Sequence, residues 1–79
     1  MVKEIEIVEV ATINGNRQTV EGSGFFGKIN DGETVEEAIL REAKGGSWKG
    51  RDYEFQLEAF EVDADGRRID GEVLATVSL

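Results

Sequence analysis

Thr34-Val35-Glu36-Glu37-Ala38-Ile39-Leu40-Arg41-Glu42-Ala43-Lys44-Gly45-Gly46 is the one stretch of the chain with helical periodicity, and its limits decide how everything around it is read. Thr34 is placed to cap a helix through its hydroxyl while Glu37, three residues on, reaches back to the cap amide. Gly45 and Gly46 suit a left-handed exit. Val35, Ala38, Ile39 and Ala43 share one stripe, with Leu40 at its margin, so the helix has one face to bury. All other segments read as strand or turn. The expected architecture is α+β, ordered strand, strand, helix, strand, strand, with the helix on one face of a four-stranded, mainly antiparallel sheet.

Working outward toward the amino terminus, residues 3 to 13 alternate apolar and polar as a half-buried strand does, except that Ile7 and Val8 are adjacent. Either a bulge brings Val8 and Val10 to the side of Ile5 and Ile7, or the outer face keeps some apolar surface. Asn14-Gly15-Asn16 is the strongest hairpin signal, because Asn and Gly accept the positive φ of a tight turn. The returning strand is expected from Arg17 to about Ile29. Within it, Gly22-Ser23-Gly24-Phe25-Phe26-Gly27 matches G-x-G-x-x-G. A dinucleotide fingerprint opens a helix directly, whereas Lys28 to Glu33 intervene here, and the kinase form lacks its partner motifs. The glycines are expected to bend the strand or to admit the helix closely, with Phe25 or Phe26 filling the core. Asn30-Asp31-Gly32 turns the chain into the helix.

Past the helix, the loop Gly45 to Gly50 carries the only tryptophan, Trp48, which either closes the core end or serves as a binding anchor. The last third reads as one long hairpin. A three-residue loop, Ala64-Asp65-Gly66, pairs Asp63 with Arg67 and puts Gly66 where a left-handed residue is needed. Continued without interruption, that register sets Leu57 opposite Val73, Phe55 opposite Ala75, Glu58 opposite Glu72, Phe60 opposite Asp70 and Gln56 opposite Leu74. The side turned away from the helix is then acidic, with Glu54, Glu58, Asp70 and Glu72 around Phe60 and Leu74, a candidate protein-binding face. Strands of about ten residues span roughly 33 Å, against about 17 Å for a helix of about eleven. One helix cannot roof the hairpin, which leaves an edge for self-association. Glu61, Asp63, Asp65, Gly66 and Glu72 also fall at calcium-loop spacing, but the flanks read as strands, so a hairpin tip explains them with less.

Composition bounds the function. The 79 residues read as a single domain, 1–79, and without Cys or His the usual thiol, haem and zinc chemistries and the Ser-His and Cys-His nucleophile pairs are excluded. No catalytic, cofactor-binding or metal-binding residue is assigned. Seventeen acids against nine bases give a net charge of -8, which argues against direct nucleic-acid binding and for a partner with a basic surface. No apolar run reaches membrane-spanning length, and Met-Val-Lys-Glu-Ile-Glu lacks the apolar core of a signal peptide, so a soluble, cytoplasmic protein is expected.

The run from Asn14 to Lys28, through Asn14-Gly15, Gln18-Thr19, Glu21, Gly24, Phe26 and Lys28, resembles the first hairpin of the immunoglobulin-light-chain-binding repeats of protein L. With the capped helix that follows, the resemblance covers about a third of the chain. It implies a β-grasp fold, whose binding function would use the second strand and the helix. Gly22 stands where that family has a bulky core residue, and the second hairpin is longer. In size and acidity the chain is also similar to small phage-encoded proteins that block bacterial defence complexes, CRISPR inhibitors among them. That likeness implies carboxylates presented to a groove that normally holds nucleic acid. The expected function is therefore a non-enzymatic protein-binding domain using Glu54, Glu58, Phe60, Asp70, Glu72 and Trp48, with a self-associating homodimer or an immunoglobulin-binding-like module as the alternative.

Overall fold

The computed structural model describes residues 2–44 and 53–78. The expected helix exit at Gly45 and Gly46 and the loop carrying Trp48 lie outside the described residues. In chain order the elements are β1 (Lys3–Ile13), β2 (Asn16–Thr19), β3 (Phe25–Ile29), α1 (Val35–Ala43), β4 (Glu54–Val62) and β5 (Arg68–Ser78). The α+β class is as expected. Every pairing is antiparallel: β1 has β4 on one side and shares its other side between β2 and β3, and β5 lies outside β4.

Thr34 and Glu37 form the expected capping box. Glu37 N donates to Thr34 Oγ1 at 3.1 Å, and Thr34 N donates to Glu37 Oε1 at 2.9 Å. The helix packs on β3, β4 and β5. Its buried stripe, Ala38, Ile39 and Ala43, meets Ile5, Ile7, Ile29, Leu57 and Ala59, with Phe25, Val35, Ala75 and Val77 around the margin. Leu40 is exposed.

Two expectations are corrected, and one open alternative is decided. First, the single return strand from Arg17 to Ile29 is broken in two. Asn14 and Gly15 make the tight turn at φ 53° and 79°, but after Val20, whose N–H still donates to Glu9 O at 2.9 Å, the chain leaves β1, turns at Gly22 (φ 74°) and rejoins as β3. Ser23 fills the gap: its hydroxyl donates to Val20 O at 2.6 Å and accepts from Glu9 N at 3.0 Å. Second, of the two readings of Ile7 and Val8 the structure takes the one without a bulge, for the register of β1 with β4 runs unbroken from Ile5–Glu61 to Thr12–Glu54. Val8 and Val10 instead form a second small core with Phe60 on the side away from the helix. Third, the hairpin register holds only at its tip. Asp63 N donates to Arg67 O at 2.8 Å, and Gly66 has φ 79°. Between the pairs Val62–Arg68 and Phe60–Val73, β5 supplies residues 69 to 72 where β4 supplies Glu61 alone, and Leu74 is a further extra residue before Ala59–Ala75. Leu57 therefore faces Val77, Glu58 faces Thr76 and Gln56 faces Ser78. The shift brings Ala75 and Val77 under the helix and moves Glu72 away from Glu58.

These irregularities curl the sheet. The β4–β5 tip bends back until a Cβ on Gly66 would stand 3.2 Å from the Phe26 ring, and Arg68 Nε donates to Glu6 Oε1 at 2.9 Å. Phe26, one of the two expected core candidates, is thus 64 % exposed, while Phe25 packs at the core margin.

Candidate functional site

The six residues singled out from the sequence separate into distinct places. Glu58 and Phe60 lie on the side away from the helix, but neither is available to a partner. Glu58 is buried and accepts from Arg17 Nη2 at 2.8 Å, and the same guanidinium reaches Gln56 Oε1 at 3.4 Å. Phe60 is buried with Val8 and Val10 beneath Arg68, whose guanidinium carbon sits 3.7 Å from the ring centroid. Arg68 then pairs with Glu6. Arg17 and Arg68 thus neutralise and cover the centre of the expected acidic face. Alternation along β4 could not reveal them, since Arg17 comes from β2 and Arg68 from beyond a bulge.

Glu54 is exposed, opposite Thr12. Asp70 and Glu72 are exposed in the bulged part of β5, where Glu72 N donates to Asp70 Oδ1 at 2.9 Å around Gly71 (φ 73°). None of these three carboxylates is ion-paired to a described residue. Trp48 is outside the described residues. Beside Asp70 and Glu72, β5 exposes Ile69, Val73 and Leu74, three of the seven large apolar side chains exposed among the described residues. β5 thus carries more of these exposed apolar side chains than any other element, and it also carries uncompensated acids.

The glycine-rich run makes no anion cradle. A Cβ on Gly24 would meet Glu6 Oε2 at 3.2 Å, and one on Gly27 would collide with the Glu42 carboxylate. That carboxylate accepts from Lys28 N at 2.7 Å, so Gly27 admits a helix side chain against the strand. A phosphate would meet the Glu42 carboxylate on the helix side or the Glu6 carboxylate on the other side. At the calcium-like spacing, Asp63 Oδ1 is engaged in the turn, accepting from Asp65 N at 2.9 Å and Arg67 N at 3.0 Å. Among the described residues no three acids converge in metal-binding geometry.

The position of Glu9 follows from the bulge-free reading of β1. Strict alternation puts it on the side of Ile5 and Ile7, where it is 2 % exposed and accepts from the Tyr53 hydroxyl at 2.7 Å. No helix of the described residues is long and apolar enough to cross a membrane. Comparison with protein-family models, curated proteins and solved structures gives no match, so the chain's geometry alone carries the functional argument.

Proposed function

We propose that the protein is a small, non-enzymatic binding domain that engages a basic surface of a protein partner. The observation that carries this is the pairing of exposed, uncompensated Asp70 and Glu72 with exposed Ile69, Val73 and Leu74 on β5, in a chain of net charge -8. The binding surface is thus moved from the expected sheet face to the outer strand, with Glu54 as a further exposed acid on β4. Occupying a groove that otherwise holds nucleic acid, as the inhibitor likeness implies, is the form of this function in which an oligonucleotide competes directly. The β-grasp part of the fold expectation rests on the Asn14–Lys28 resemblance alone.

Capture of basic proteins from the source cell, with wild type and with Asp70→Lys/Glu72→Lys as bait, tests this. The captured partner should be released by salt and by a DNA oligonucleotide, and the variant should retain about tenfold less of it. A variant that holds the partner with unchanged strength and salt dependence overturns the reading. The second reading is self-association, favoured by the open edge of β5, and a concentration series in the ultracentrifuge separates the two.

A further inference from the structure

The two edges of the sheet are treated differently. On the β1 side the edge is divided into two short strands separated by the turn at Gly22, a construction that discourages further pairing. On the other side β5 runs for eleven residues with β4 as its only strand neighbour among the described residues. An edge strand turns alternate N–H and C=O groups outward. From Ala75 to Ser78 the ladder with β4 runs without a further shift, and the whole run Val73-Leu74-Ala75-Thr76-Val77-Ser78 is uncharged and free of the Lys and Pro that blunt exposed edges.

We propose that this half of β5 accepts an extended segment of the partner as an added strand, and that the segment carries Lys or Arg at the end that meets Asp70 and Glu72. The proposal rests on the protein-binding reading above and names its mode. Main-chain hydrogen bonds to the outward groups of β5 supply attachment, the exposed Val73 and Leu74 supply apolar contact, and the two acids set register and polarity. Charge selects a basic partner over a second copy. Beyond Arg68, β5 has no cation to set against Asp70 and Glu72, and another copy brings a further net charge of -8.

The test uses the ¹⁵N-labelled full chain and a short peptide alternating valine with threonine and bearing lysines at one end. Its glutamate-ended counterpart and a form N-methylated at every second residue serve as comparisons. Amide shifts should concentrate at residues 73 to 78, and each comparison peptide should bind about tenfold or more weakly. Equal binding of the N-methylated form means side-chain docking; it overturns strand addition and leaves the protein-binding reading intact. Equal binding of the glutamate form overturns the basic specificity on which both depend. If the protein alone sediments as a dimer whose β5 amides resist hydrogen exchange, the edge belongs to a second copy and the proposal is wrong.

Discussion

Arg41 ties the entry of α1 to the end of β3. Its Nε and Nη2 donate to the two Glu33 oxygens at 2.8 and 3.0 Å, and Nη2 also reaches Lys28 O at 2.6 Å. Glu33 Oε1 accepts from Asn30 N as well, at 2.9 Å, closing the turn that Asn30-Asp31-Gly32 begins. The hydrogen bond from Arg41, reinforced by the Asn30 amide and by Coulomb attraction, holds the Glu33 carboxyl below its ordinary range, and the same contact raises Arg41. A carboxyl depressed in the folded state adds stability above its unfolded pKa, and that contribution disappears as the pH falls through the folded value. Wild type should therefore lose urea resistance more steeply than Glu33→Gln across that acid window, and the Glu33 ¹³C carboxyl should titrate below a free glutamate. Parallel acid limbs for the two proteins would show that the clamp does not contribute.

β5 is the element in which local chemistry overrules pattern. Its alternation predicts an uninterrupted partner for β4, yet Gly71 at φ 73° and the Asp70–Glu72 turn insert residues, so the strand reaches the helix with Ala75 and Val77 inward. Nothing lies within 4 Å of a Cβ built on Gly71, so Gly71→Ala tests backbone strain alone. It should cost about 1 kcal/mol in urea unfolding with the m-value unchanged, and Gly71→Asn, which tolerates the left-handed region better, should cost less. An alanine as stable as glycine would mean that the bulge is not held at positive φ. The same element shows what a sequence discloses. The cap at Thr34, the turn at Asn14-Gly15 and the tip at Gly66 were legible because each depends on a few adjacent residues. The covering of Phe60 by Arg68 and the pairing of Glu58 with Arg17 were not, because both require the curl that brings distant strands together. The candidate site was legible in kind, as acids beside apolar residues near the chain's end. Its location was not, since the bulges decided which of those acids stay exposed.

At the scale of the whole molecule, one charge imbalance acts on folding and on binding with opposite sign. The chain measures 39 × 24 × 17 Å with a radius of gyration of 12.5 Å. At 0.01 M salt the screening length is about 30 Å, so most of the excess acids repel one another, whereas at 0.1 M it is about 10 Å and only neighbours do. Three of the favourable pairs are short, Arg17–Glu58 at 2.8 Å, Arg68–Glu6 at 2.9 Å and Arg41–Glu33 at 2.8 Å, each with a carboxylate less than a quarter exposed. Screening reaches such contacts much less than it reaches separated charges. Net repulsion should therefore fall faster than attraction as salt rises, and Tm should increase from 0.01 M to about 0.3 M sodium chloride. Chloride is the choice for this measurement because sulfate strengthens apolar burial directly. A Tm that falls over that range would mean that the three short pairs outweigh the spread of excess acids. Since a basic partner is held by those same unpaired acids, salt that stabilises the domain should release the partner, and the two responses measured on one sample separate charge-driven binding from binding through the apolar edge alone.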